Sequence, residues 1–78
     1  MLKKLKDKDA RALIIKILSN SVAPLTTHVI EEMVQGEGKQ CPDSAVRFLA
    51  KMRYKSLIKG SLSRKHRGWI WWVEKNGE

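Results

Sequence analysis

A single cysteine, Cys41, in 78 residues excludes a disulfide within the chain, so packing alone must hold the fold and a reducing compartment is the default. Long apolar runs are also lacking. The longest, 12–15 and 69–73, fall far short of the roughly 20 residues that span a bilayer. The first 18 residues set lysines ahead of an apolar stretch, but Asp7 and Asp9 lie where a secretion signal carries no acid and Lys16 interrupts the run. We therefore expect a protein that is not secreted and binds no membrane, cytoplasmic and nucleoid-associated or nuclear. Catalytic groups are scarce too. Two histidines, His28 and His66, and one cysteine have no zinc spacing, no glycine-rich phosphate loop occurs, and Cys41 has no base or orienting group beside it in sequence. The expectation is no enzyme, no metal and no cofactor. With no internal repeat and too little chain for a second core, residues 1–78 read as one domain, ordered from about 9 to 74 between frayed ends at Met1–Lys8 and Lys75–Glu78.

Acid is the other shortage: eight Asp and Glu stand against sixteen Lys and Arg, a formal charge of +8. The excess is uneven. Residues 1–40 hold seven basic and five acidic side chains, and residues 41–78 hold nine and three. A basic field gathered in one part of a small domain is the footprint of a polyanion binder, although a lysine-rich surface also serves solubility.

Apolar residues Ala10, Leu13, Ile14, Ile17 and Leu18 recur at helical spacing behind Asp9 as cap, and Asn20, Ser21 and Pro24 end that helix. Pro24-Leu25-Thr26 reads as an extended link, with Thr26 capping a second helix and Leu25 and Ile30 placed as its hydrophobic staple. Val29, Ile30, Met33 and Val34 form its apolar stripe, Glu31 and Glu32 face away, and Gly36 is the expected left-handed stop. A third helix is expected from near Pro42 to about Lys55, capped by Cys41 or, with a later start, by Asp43. Ala45, Leu49 and Met52 form its inner face with Val46 and Phe48 at the edges, while Arg47, Lys51 and Tyr54 lie opposite.

Beyond Leu57 the period changes from helical to alternating. Ile58, Gly60 and Leu62 alternate with Lys59, Ser61 and Ser63; after Arg64-Lys65-His66-Arg67-Gly68 comes Trp69-Ile70-Trp71-Trp72-Val73. This predicts a two-strand hairpin with a cationic, mobile five-residue tip and Gly68 in its strained position. Trp69, Trp71 and Val73 fall on one face, Ile70 and Trp72 on the other, and at least one face must roof the helices. A tryptophan left outward would cover the sheet, self-associate or meet a protein partner.

Leu25-Thr26-Thr27 ahead of an apolar helix, Asp43 through Met52 followed by Leu57-Ile58, and Arg64 through Gly68 ahead of Trp69 together resemble the winged helix-turn-helix superfamily over about 9–74. The link at 36–41 is longer than that family's turn, and Ser56 stands where it often has glycine. The resemblance implies an α+β fold, three helices with a small antiparallel β-hairpin as the wing. It also implies duplex DNA binding, with the third helix in the major groove and the wing at the backbone or minor groove. The role implied is that of a small transcriptional regulator or mobile-element accessory protein.

The residue chemistry points the same way. Arg47 and Lys51 suit groove contacts, with Ser44, Tyr54 and Lys55 alongside to meet phosphate; Arg64, Lys65 and Arg67 suit phosphates, with His66 joining at lower pH. Two rival readings are a module docking an acidic protein and an RNA-binding domain.

Overall fold

The computed structural model describes residues 2–74; Met1 and the end at 75–78, where fraying was expected, lie outside them. It is a small α+β domain of three helices and a three-stranded antiparallel sheet, with a second pair of two-residue strands: β1 (Lys3–Lys4), α1 (Asp7–Ser19), β2 (Leu25–Thr26), α2 (Thr27–Gly36), β3 (Lys39–Gln40), α3 (Ala45–Tyr54), β4 (Lys59–Ser63) and β5 (Gly68–Trp72). In the larger sheet β5 lies between β2 and β4, both antiparallel to it. The expected hairpin is therefore joined by the link before α2, through Leu25 opposite Trp71 and Thr26 opposite Ile70.

Each helix forms where its apolar period allows one face to be buried. Ala10, Ile14 and Leu18 of α1, Ile30 and Val34 of α2, and Ala45, Phe48, Leu49 and Met52 of α3 are buried, with Ile58 and Trp71 closing the core from the sheet. Leu25 packs against the same cluster as Ile30, the two positions expected to staple the start of α2. Burying these side chains supplies most of the folding free energy of so small a chain. Met33 and Val46, expected in the stripe of α2 and at the inner edge of α3, are exposed.

Four boundaries differ from the expectations. Residues 3–5 are not frayed: Lys3 N–H donates to the Gly38 carbonyl (3.0 Å) and Leu5 N–H to that of Gln40 (2.8 Å), so β1 pairs in parallel with β3, and Leu5 packs on the core. As a result α1 starts at Asp7, not behind Asp9. Both aspartates lie in its first turn, where their charge suits the positive end of the helix dipole. The stop of α2 is Gly38 (φ 75°), not Gly36, which is still helical; Gly38 N–H donates to the Gln35 carbonyl at 2.8 Å. Finally, α3 starts at Ala45 behind Ser44, whose hydroxyl accepts from Arg47 N–H (3.4 Å), so neither Cys41 nor Asp43 is the cap and Pro42 lies outside the helix. The Thr26 cap is as expected, accepting from Val29 N–H at 3.2 Å.

The end of α3 sets where the sheet begins. Ser56 N–H donates to the Arg53 carbonyl and Leu57 N–H to that of Met52, both at 2.9 Å, the paired bonds that close a helix on a left-handed residue. That residue is Ser56 (φ 63°), a serine in the conformation glycine adopts most easily.

Candidate nucleic-acid interface

Helix α3 buries one side and presents the other. Arg47, Lys51, Tyr54 and Lys55 are exposed, Tyr54 at 90% of its surface, and none of them takes part in the core. Ser44 is exposed at the N-terminal end of this side, its hydroxyl engaged as the cap. Asp43 organises the same end: its carboxylate accepts from Ser44 N–H (2.7 Å) and lies 3.8 Å from Arg47 Nε. An exposed pair of this kind contributes at most about 1 kcal/mol, so Arg47 is steadied rather than locked.

The second cationic group is the hairpin tip. Ser63 pairs with Gly68, which leaves a four-residue loop, Arg64–Arg67, rather than the expected five. Arg67 N–H donates to the Arg64 carbonyl at 3.2 Å, making a tight turn. The Ser63 hydroxyl accepts from His66 N–H (3.3 Å) and lies 3.0 Å from His66 Nδ1. The tip carries hydrogen bonds of its own. The strained position is Arg67 (φ 55°), not Gly68, because shortening the loop by one residue moves the left-handed step back by one. Arg64, Lys65, His66 and Arg67 are all exposed.

Arg53, which the sequence did not single out, joins the helix to the hairpin. Its Nε–H donates to the Gly60 carbonyl of β4 (3.2 Å), and its guanidinium carbon lies 5.2 Å from the centre of the Trp69 ring. Trp69 stacks on Trp71 (5.2 Å between centres, 17° between planes), and Trp71 Nε1–H donates to Thr27 Oγ1 at 2.8 Å. Gly60 permits this approach: a Cβ there would fall 2.5 Å from the Trp71 ring. That glycine, alternating in a strand across from tryptophans, was the available signal for the close contact. Arg47 and Tyr54 stand about 100–120° round the helix from Arg53, on its solvent side.

No tryptophan is left fully outward. Trp71 is 1% exposed, while Trp69 and Trp72 are half-buried. Trp72 and Ile70, on the opposite sheet face, line a shallow, open cleft with Leu18 and the 21–24 link.

The remaining reactive groups are dispersed. Cys41 is buried and free; burial pushes its thiol up, and the nearby Glu31 charge adds to this, so it stays protonated at neutral pH. His28, expected to lack a partner, lies 3.3 Å from Glu32 one helical turn on, at the exposed surface of α2. Among the described residues no three His, Cys, Asp or Glu side chains gather as a metal site, and no helix is long and apolar enough to cross a membrane.

No family model, curated protein or solved structure matches the chain.

Proposed function

We propose that this chain is a winged-helix domain that binds double-stranded DNA without catalysis, α3 in the major groove and the β4–β5 tip on the adjacent backbone or minor groove. The order α1, β2, α2, α3, β4, β5, with β5 central in the sheet, supports the winged-helix reading. The observation that carries the function is the pairing of two exposed cationic groups on adjoining elements. Arg47, Lys51 and Lys55 with Tyr54 occupy the outer side of α3, and Arg64, Lys65 and Arg67 occupy the turn of the hairpin that Arg53 ties to that helix.

Arg47 and Lys51 have the donors to meet guanine O6 and N7, whereas the tip cations suit phosphate, where charge counts more than aim. Arg67 is consistent with the reading: it holds a left-handed φ, where glycine costs less, at the exposed cationic tip. A small transcriptional regulator or mobile-element accessory protein is the role this binding fits.

A salt titration of binding to a random duplex tests it. Affinity is expected to fall by orders of magnitude between low and physiological ionic strength if about six phosphates are met. Reversing charge at Lys65 and Arg67 should weaken binding to every sequence alike, while Arg47→Ala should cost about 1–3 kcal/mol and relax preference at one base pair. A flat salt response excludes the phosphate contacts, and tighter binding to structured RNA or to an acidic protein replaces duplex DNA as the partner.

A further inference from the structure

Among the described cations of the α3–hairpin half, Arg53 is the one whose side chain bridges from the helix to the sheet. Although Arg53 is exposed, its Nε–H is bonded to the Gly60 carbonyl and one face of its guanidinium lies over Trp69. These two contacts reach different strands, β4 through Gly60 and β5 through Trp69, and Trp69 passes the constraint to Trp71 and so to Thr27 at the start of α2. Gly60 and Trp69 lie on the two strands that lead into and out of the Arg64–Arg67 turn. The side chain thus meets both strands below the tip.

We propose that Arg53 is a positioning residue for nucleic-acid binding, one that makes no contact with the duplex and sets the hairpin relative to the outer face of α3 so that both cationic groups engage one duplex together. This rests on the function proposed above. The chemistry is specific to arginine: a lysine at position 53 keeps the charge but loses both the Nε–H directed at Gly60 and the flat cation that stacks on indole.

The experiment compares the native chain with Arg53→Lys and Arg53→Gln, each alone and combined with Lys65→Ala, by duplex affinity across a salt series and by NMR of the arginine Hε protons in the free protein. The expected result is an Arg53 Hε displaced by the tryptophan ring current in the native chain. Both Arg53 variants should bind about tenfold more weakly, and Lys65→Ala should lose most of its effect in either background, since coupled positions are not additive. A direct phosphate contact predicts the opposite: Arg53→Lys binds like the native chain and Lys65→Ala costs the same in every background; that result overturns the proposal. Thermal melts monitored at Trp71 separate a lost angle from a lost fold, because a positioning role requires Arg53→Lys to melt as a folded domain while its affinity falls. If native protein shows no salt-dependent binding, the DNA reading fails and the positioning role with it; if native protein binds and Arg53→Lys matches it, only the positioning role fails.

Discussion

The two halves of the chain handle the same backbone problem differently. In the first, where basic and acidic side chains nearly balance, the left-handed step after α2 is taken by Gly38. In the second, with nine basic and three acidic side chains, the corresponding steps are taken by Ser56 after α3 and Arg67 at the hairpin tip. A residue with a Cβ in that conformation costs about 1–2 kcal/mol relative to a right-handed one, a cost glycine avoids. The second half thus carries both the surplus charge and the two non-glycine residues held at left-handed φ.

The largest expected effect tests whether the halves are one cooperative unit. Trp71→Ala removes a ring that is 1% exposed, together with its hydrogen bond to Thr27, and should destabilise the domain by about 3–5 kcal/mol in chemical denaturation. Loss of the hairpin alone, with the helices still melting at the native midpoint, would show that the halves fold separately.

Arg67→Gly sharpens the contrast between strain and charge. Folding should be unchanged or stabilised by up to about 1 kcal/mol, the relieved φ being partly offset by glycine's freedom in the unfolded chain. Duplex binding should weaken and its salt dependence flatten by about one phosphate. A variant that is more stable and binds as well would mean that the arginine at the tip has no binding role.

The smallest effect compares the two helix ends directly. Gly38→Ala should cost about 1 kcal/mol, while Ser56→Gly should gain up to that amount, both read from thermal midpoints. A loss in Ser56→Gly would show that the serine hydroxyl contributes more than its φ costs.

The outer face of α3 was legible because a helix repeats every 3.6 residues, so the apolar positions that must turn inward leave Arg47, Lys51 and Tyr54 outside wherever the helix begins. The cations of the turn were legible as a run between two alternating segments. Arg53 was not: its partners, Gly60 and Trp69, are brought to it by the reversal after Ser56, and nothing in its spacing separates it from Lys51 or Lys55. The Asp43–Arg47 pair was visible as an i, i+4 spacing, but whether the side chains meet depended on where the cap fell.

From its sequence alone this chain was bound to be a small basic domain with three amphipathic helices, a Thr26 cap and a hairpin near its end, because periodicity, capping chemistry and charge act over a few residues. Tertiary structure alone decided that Lys3 pairs with Lys39, that Leu25 lies opposite Trp71, which tryptophan is enclosed, and which arginine reaches the sheet. Two-residue strands carry no period to detect, and their backbone hydrogen bonds are indifferent to side-chain identity. Which distant segments satisfy one another is set only when the whole core closes.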